Sequence, residues 1–165
     1  MDILSVDGHI NKKRLALSIL VPVIGGSVTG WLANRRAQEE YKKLKQPFFA
    51  PPGAIFPIVW TSLYTLMGIA KYRADEKMNW KKESSLAIPL YDLQLGLNFL
   101  WSFLFFRWGL RGTALIEMTA LLALIALTAY EFQKVDKTAG ALMVPYIGWV
   151  TFALGLNYAV WQLNK

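Results

Sequence analysis

Cysteine is absent from the 165 residues of the chain, and histidine occurs once, as His9. Without thiols there can be no disulfide bond, zinc–thiolate site, iron–sulfur cluster or covalent c-type haem attachment. A single histidine also excludes a bis-histidine haem and a metal site built from several histidines. The sequence contains no nucleotide-binding loop, hydrolase nucleophile motif or close acid pair, so no residue pattern marks a catalytic centre.

Charged residues are few, and hydrophobic residues make up 55% of the chain, with a mean hydropathy of +0.31. A soluble domain of this size cannot bury so much apolar surface, so the lipid bilayer is the expected solvent. The net charge of +7 comes from lysines and arginines that flank apolar runs, which favours anionic lipid headgroups over nucleic acid as the acidic partner. We expect one membrane-embedded domain over residues 1–165.

Five apolar stretches approach the length of about 20 residues that crosses about 30 Å of hydrocarbon. None of them alternates with a two-residue period, and backbone groups in lipid must bond within their own segment, so helices are expected. The predicted fold is an all-α membrane protein, a bundle of five transmembrane helices. The predicted spans are residues 15–33, 55–71, 86–106, 113–132 and 140–163. Basic residues are nearly balanced between the two sides, so the sequence leaves the orientation open.

The connector between the first two predicted spans, residues 35–56, is rich in proline and aromatic residues. It contains Tyr41, Pro47, Phe48, Phe49, Pro51 and Pro52. Proline fixes the backbone angle φ and stiffens the segment, unlike the Gly and Ser of a flexible tether. We therefore predict a lid that covers a site opening among the helices.

Three predicted helices each carry a face of aromatic and polar residues at spacings of three and four. These faces are Phe56, Trp60, Tyr64 and Met67; then Tyr91, Gln94, Asn98, Trp101, Ser102 and Phe105; then Pro145, Trp149, Phe152, Ala153 and Leu156. Amide and indole N–H groups avoid hydrocarbon, so the three faces are expected to converge on one interior pocket. The alternative is that Gln94, Asn98 and Asn157 only hydrogen-bond one helix to another. Trp60, Trp101 and Trp149 lie within spans, where an interfacial aromatic belt does not explain them.

Two acidic residues, Asp92 and Glu117, fall inside predicted spans, where a carboxylate is a functional hypothesis by default. Asp92 lies nearly opposite Gln94 on its helix, and Glu117 lies close enough to the end of its span to reach the lipid headgroups or to pair with Arg111. Structural pairing is the expectation for both acids.

In the first span, Gly26 and Gly30 form a G-x-x-x-G step, which permits close helix contact within the bundle or in a homodimer.

Three ordered blocks of residues resemble the TspO/MBR family, whose members are called translocator protein, peripheral benzodiazepine receptor or tryptophan-rich sensory protein. The first block contains Tyr41-x-x-Leu44-Lys45-x-Pro47, Pro51-Pro52 and Phe56-x-x-Val59-Trp60-x-x-Leu63-Tyr64-x-x-Met67-Gly68. The others are Gln94-Leu95-x-Leu97-Asn98-x-x-Trp101-Ser102-x-x-Phe105-Phe106 and Pro145-Tyr146-x-x-Trp149-x-x-Phe152-Ala153-x-x-Leu156-Asn157. The resemblance covers about residues 15 to 163.

This resemblance implies a five-helix membrane bundle, often dimeric, with a pocket beneath the first connector. The family binds porphyrins, haem, cholesterol in animals, and isoquinoline-type synthetic ligands. Carried over position by position, the implied pocket contains Tyr41, Trp60, Asn98, Trp101, Trp149, Ala153 and Leu156, to which the helical faces add Tyr64 and Gln94. Without cysteine or an intramembrane histidine, a porphyrin would be held by aromatic stacking and apolar burial rather than by strong iron ligation.

The expected function is that of an integral membrane receptor or sensor for porphyrin, haem or a hydrophobic drug-like molecule, with no required cofactor and no metal site. One alternative is an enzyme that degrades porphyrin in light, with Trp60 and Trp149 as candidate catalytic residues. A second alternative is a tetrapyrrole transporter, although the sequence shows neither a second gate nor a proton relay. The expected location is a bacterial plasma membrane, or the outer mitochondrial membrane in a eukaryote.

Overall fold

The computed structural model describes residues 2–33, 37–81 and 86–165. Within these residues the chain is α-helical and contains no β-strand, which confirms the predicted all-α class. The helices are α1 (Lys12–Ala33), α2 (Ala37–Lys43), α3 (Ile55–Lys81), α4 (Ala87–Ser102), α5 (Arg111–Val135), α6 (Lys137–Leu142) and α7 (Val144–Asn164). A π-helical turn, Phe103–Arg107, continues α4. Residues 35 and 36 of the predicted lid lie outside the described residues.

Among the described residues, three helical segments are long and apolar enough to cross a membrane: Lys12–Ala33, Arg111–Val135 and Lys137–Asn164. The third joins α6 to α7. These segments correspond to the first, fourth and fifth predicted spans. The second and third predicted spans are also helical, but α4 has only 16 residues before its π turn, and α3 carries aromatic and hydroxyl side chains followed by a charged second half.

Helices α1 and α3 pack closely because α3 has a glycine at the crossing point. A Cβ atom at Gly68 would lie 2.5 Å from the carbonyl oxygen of Ser18 and 2.7 Å from the Cα atom of Ile19. Both distances are shorter than van der Waals contact, so only glycine permits this separation of the two backbones. At this point the close approach of the two backbones depends on Gly68, whereas Gly26 of the G-x-x-x-G step in α1 faces the Tyr64 side chain of α3.

The second half of α3 extends ten residues beyond the predicted end of its span because its charged side chains have partners. Arg73, which is 5% exposed, forms an ion pair with Asp136 in which Nε and Oδ2 are 2.6 Å apart. The Nη1 atom of Arg73 also donates to the carbonyl oxygens of Ile3 and Ser5. Asp136 in turn accepts from the backbone N–H of Ala139 at the start of α6. One ion pair thus joins α3, α6 and the N-terminal segment.

Two local features interrupt the helices that the apolar pattern predicts as continuous. The π turn after α4 ends where Gly109 has a φ of +65°, a conformation that favours glycine. In the fifth predicted span, Met143 separates α6 from α7, and Pro145 stands in the first turn of α7. Proline is compatible with that turn because its missing N–H has no intrahelical partner there.

Candidate functional site

A cavity of about 300 Å³ lies among α1, α3, α4 and α7, next to the connector between α1 and α3. This volume is at the lower end of the range of about 300–1,000 Å³ for ligand pockets. Most of its lining is aromatic or apolar. The lining residues are Gly26, Ser27, Gly30, Tyr41, Gly53, Phe56, Pro57, Trp60, Thr61, Tyr64, Asn98, Trp101, Ser102, Phe105, Phe106, Trp149, Ala153, Leu156, Asn157 and Val160.

Helical periodicity brings these side chains together. Residues three or four apart share a helix face, and helices α3, α4 and α7 each contribute such a series to the cavity. The series are Phe56, Trp60 and Tyr64 on α3; Asn98, Trp101 and Phe105 on α4 and its π turn; and Trp149, Ala153, Leu156 and Val160 on α7. The aromatic rings also contact one another across helices: the ring centroids of Phe56 and Trp149 are 5.9 Å apart.

Helix α1 lines the cavity with two glycines and Ser27, so it contributes mainly space. The glycines are Gly26 and Gly30. A Cβ atom at Gly26 would lie 2.2 Å from Cε2 of Tyr64, whereas one at Gly30 would meet no atom within 4 Å. The glycine pair that suggested helix packing or a dimer face therefore makes room for Tyr64 and for the cavity.

The connector reaches the cavity through Tyr41. The Tyr41 ring packs edge-on against Phe56 with centroids 5.3 Å apart, and its hydroxyl donates to the carbonyl oxygen of Pro51 at 3.0 Å. Burial raises the pKa of the Tyr41 phenol, so the hydroxyl remains a donor at neutral pH. Further along, the Asn164 amide of α7 exchanges two hydrogen bonds with the backbone of Lys45, at 3.0 and 2.9 Å. These contacts hold the connector against the ends of the helices.

One side of the cavity is polar, because Tyr64 and Asn98 line it and belong to a buried chain of hydrogen bonds. Tyr64 Oη donates to Asn98 Oδ1 at 2.7 Å, and Asn98 Nδ2 donates to Tyr146 Oη at 2.7 Å. Tyr146 Oη then donates to Gln94 Oε1 at 2.8 Å. We call these four residues the floor chain.

Two indole groups of the lining differ in their hydrogen bonding. Trp101 Nε1 donates to Asn157 Oδ1 at 3.0 Å, and Asn157 Nδ2 donates to the backbone oxygen of Arg111. Trp149 Nε1 is buried and has no partner among the described residues. Since a buried N–H without an acceptor is unfavourable, Trp149 offers a donor to any molecule that enters the cavity.

Eight of the nine residues predicted from the sequence to form a pocket line this single cavity. They are Tyr41, Trp60, Tyr64, Asn98, Trp101, Trp149, Ala153 and Leu156. Gln94 does not line it, since Gln94 is 0% exposed and lies one hydrogen bond further inside, beyond Tyr146. Sequence analysis did not assign Gly26, Gly30, Thr61 or Val160 to the pocket, although the spacing of four from Leu156 could have indicated Val160.

The two intramembrane acids behave differently. Asp92 is exposed, and its carboxylate lies 4.0 Å from the Lys71 ammonium, in agreement with structural pairing. The predicted pairing of Glu117 with Arg111 is wrong, since neither carboxylate oxygen of Glu117 has a hydrogen-bond partner among the described residues. Arg111 instead packs its guanidinium over the Phe105 ring, 5.6 Å from the centroid.

Comparison with known proteins identifies the family of this chain. The model of the TspO/MBR family matches residues 18–162. Tryptophan-rich protein TspO of Archaeoglobus fulgidus is 38% identical over 157 residues, which cover 94% of this chain and 99% of that protein. The tryptophan-rich sensory protein of Cereibacter sphaeroides is 36% identical over 91% of each chain. The translocator protein of Bos taurus is 33% identical over 88% of this chain and 87% of its own. The chain therefore belongs to the TspO/MBR family of membrane proteins.

Proposed function

We propose that this protein is an integral membrane receptor or sensor that binds a porphyrin, a haem or another flat aromatic molecule in the cavity beside the connector. The observation that carries the proposal is the composition of the lining. Eight aromatic rings from three helices and the connector line one space: Tyr41, Phe56, Trp60, Tyr64, Trp101, Phe105, Phe106 and Trp149. Such rings hold a planar ligand by stacking and edge-on contact, with large apolar burial.

The polar groups of the cavity suit a ligand with a few hydrogen-bonding atoms. Trp149 Nε1 has no acceptor in the described part of the chain, and Asn98 Nδ2 has a second N–H beyond the one given to Tyr146. Both donors would meet a carbonyl, a carboxylate or a ring nitrogen of the bound molecule. Because the only histidine of the chain is His9, in the N-terminal segment, iron in a bound haem would receive no histidine from the cavity.

The connector acts as a lid in this proposal. A cavity of about 300 Å³ accommodates a molecule of two or three rings, whereas a tetrapyrrole requires more room. The connector is the side best able to give way, because it meets the long helices through side chains and one amide rather than through helix-to-helix packing. These contacts are the Tyr41–Phe56 and Phe49–Phe152 ring pairs, the packing of Leu44 and Ala50, and the Asn164 amide. Displacement of the connector would enlarge the cavity without a change in the packing of the long helices.

The same proposal places all five long helical segments across the bilayer, including α3 and α4. Both helices expose large apolar side chains, such as Ile58 on α3 and Leu93 and Leu100 on α4, as a lipid-facing surface requires. Five spans put the connector and the N-terminal segment on opposite sides of the membrane. Since the chain has no cysteine, single cysteines introduced at Lys42 and Asp7 can be tested for labelling from each side of sealed vesicles.

The first test is the quenching of tryptophan fluorescence when protoporphyrin IX is titrated, in dim light, into the detergent-purified protein. We expect saturable quenching, weakened in Trp60→Phe and in Trp149→Phe. The matched control is Trp108→Phe, because Trp108 is 53% exposed and lies outside the cavity. Unsaturable quenching, or equal weakening in all three variants, would contradict binding in this cavity.

A second candidate function is the light-driven oxidation of bound porphyrin by dioxygen. The observation that favours it is the position of two oxidisable side chains at the cavity wall: the Trp60 and Tyr64 ring centroids are 5.5 Å apart. An excited porphyrin stacked on Trp60 would contact this pair directly. Irradiation of the complex in air, followed by absorption spectra, distinguishes the functions: irreversible bleaching that requires Trp60 and Trp149 supports the enzyme, and a reversible spectrum supports the receptor.

A further inference from the structure

The floor chain (Tyr64, Asn98, Tyr146 and Gln94) has a direction. Each hydroxyl or amide in it donates toward the interior, from Tyr64 at the cavity to Gln94 at the far end. All four residues are at most 9% exposed, so water in the bulk does not compete for these groups. Buried chains of this kind are cooperative, since the orientation of one group constrains the next.

The direction of the floor chain decides whether the Tyr64 hydroxyl offers a ligand a hydrogen-bond donor or an acceptor. A tyrosine hydroxyl has one proton and two acceptor lone pairs. Tyr64 lines the cavity, and because its proton is donated to Asn98, its hydroxyl oxygen can only accept a hydrogen bond from a molecule bound there. A ligand that carries an N–H or O–H group therefore matches Tyr64 in this arrangement, and a ligand that carries only acceptors does not.

The inner end of the chain leaves one donor without a partner. Gln94 Oε1 accepts from Tyr146, but Gln94 Nε2 is buried and has no partner among the described residues. If both amides rotate by half a turn, their oxygen and nitrogen atoms exchange places with little change in shape. Gln94 Nε2 then donates to Tyr146, Tyr146 donates to Asn98 Oδ1, and Asn98 Nδ2 donates to Tyr64. The Tyr64 proton is released to point toward the cavity.

We propose that Gln94 is a positioning residue that sets the direction of the floor chain and thereby decides whether Tyr64 accepts from, or donates to, the molecule bound in the cavity. The inference deepens the proposed function, because it requires that an aromatic molecule occupies the cavity. Gln94 acts through Tyr146 and Asn98 and touches no ligand itself. The glutamine amide is suited to this role because one end accepts and the other donates.

The test compares two tricyclic molecules of nearly equal shape. Carbazole carries a ring N–H, and acridine carries a ring nitrogen that only accepts. Gln94→Met removes the acceptor of Tyr146 and leaves Asn98 Oδ1 as the remaining amide acceptor of the floor chain, so we expect Tyr146 to donate to Asn98 and the chain to reverse. We expect the affinity ratio of acridine to carbazole to rise by roughly fivefold or more, the effect of one hydrogen bond exchanged at the ligand. Fluorescence titration of the purified protein in detergent measures both affinities.

Double variants separate this mechanism from loss of structure. In a Tyr64→Phe or Tyr146→Phe background, Gln94→Met should leave the ratio unchanged, because the link between Gln94 and the cavity is absent. Leu95→Met is the matched control, a buried substitution on the same helix outside the chain. Gln94→Leu makes the same prediction as Gln94→Met with a branched side chain, in case one of the two variants does not fold.

The outcomes are distinct. A ratio that is unchanged in both folded Gln94 variants, or that changes equally in the Tyr146→Phe background, overturns the inference. Failure of the wild-type protein to bind either tricyclic molecule also overturns it, since the floor chain would then face no ligand. If protoporphyrin IX does not bind but the ratio shifts as expected, the tetrapyrrole proposal fails and the role of Gln94 stands.

Discussion

The contact between Gly26 and Tyr64 is the point at which the smallest change should have the largest effect on the cavity. A Cβ atom at Gly26 would lie 2.2 Å from Cε2 and 2.8 Å from Cδ2 of the Tyr64 ring. Carbon atoms prefer a separation of about 3.5–4.0 Å, so Gly26→Ala displaces the ring or the helix by more than about 1 Å. The ring is not free to swing, because Trp60 and Phe99 pack on it and its hydroxyl bonds Asn98.

The expected loss of stability follows from these contacts. Overpacking of a close-packed site costs about 1–3 kcal/mol. Displacement of Tyr64 also breaks its hydrogen bond and leaves Asn98 Oδ1 buried without its donor, which costs about 1–3 kcal/mol. The better helix propensity of alanine offsets up to about 1 kcal/mol. We expect Gly26→Ala to lower the free energy of unfolding by about 2–4 kcal/mol and to weaken ligand binding in parallel.

Gly30→Ala is the matched control. Gly30 lies one turn further along α1 and lines the same cavity, but a Cβ atom there meets nothing within 4 Å. Its free energy of unfolding should stay within about 1 kcal/mol of wild type or rise. Equilibrium unfolding in one detergent, followed by tryptophan fluorescence, measures both variants. Equal destabilisation by the two substitutions would refute the reasoning, because the effect would then come from helix α1 and not from Tyr64.

Three further predictions concern the helix crossing, the buried ion pair and the connector. Gly68→Ala drives a Cβ atom into the α1 backbone. It should lower the free energy of unfolding by at least about 3 kcal/mol, measured by the same unfolding assay. Arg73→Met leaves Asp136 without its cation and should cost about 3–5 kcal/mol, with faster proteolysis of the N-terminal segment as a second readout. Tyr41→Phe removes the bond to Pro51 and should cost about 0.5–1.5 kcal/mol. Burial raises the pKa of Tyr41 above its unfolded value near 10. The contribution of the neutral phenol to the free energy of unfolding is therefore fully present below about pH 10 and is lost above it. In a pH titration of unfolding, wild type should lose more stability at high pH than Tyr41→Phe.

The helices were predictable where the apolar pattern is continuous, and less so where a local contact decides the backbone. The connector helix α2 and the break at Met143 have no apolar signature of their own. The extension of α3 depends on the ion pair between Arg73 and Asp136. Asp136 caps the start of α6 and is 63 positions away in the sequence. The π turn depends on Gly109 and on how Trp108 and Leu110 bond back to the preceding turn. Such contacts cannot be read from spacing alone.

Most of the cavity lining was predictable because side chains at a spacing of three or four share one helix face. Gln94 shows the limit of this reasoning. It lies on the same face of α4 as Asn98, but Tyr146 from α7 lies between the Gln94 side chain and that of Asn98. Glu117 shows the same limit for charge, since Arg111 is near in sequence but packs on Phe105.

The amino-acid sequence by itself determined the all-helical class, the hydrophobic character, the membership of the family and the faces that carry tryptophan, tyrosine and asparagine. These properties follow from composition, helical period and ordered motifs, which are local. Tertiary structure alone decided which face is opposite which: Gly26 against Tyr64, Tyr146 between Asn98 and Gln94, and Tyr41 against Phe56. The reason is that the volume of a cavity and the direction of a hydrogen-bond chain depend on the distances between helices, which no single helix specifies.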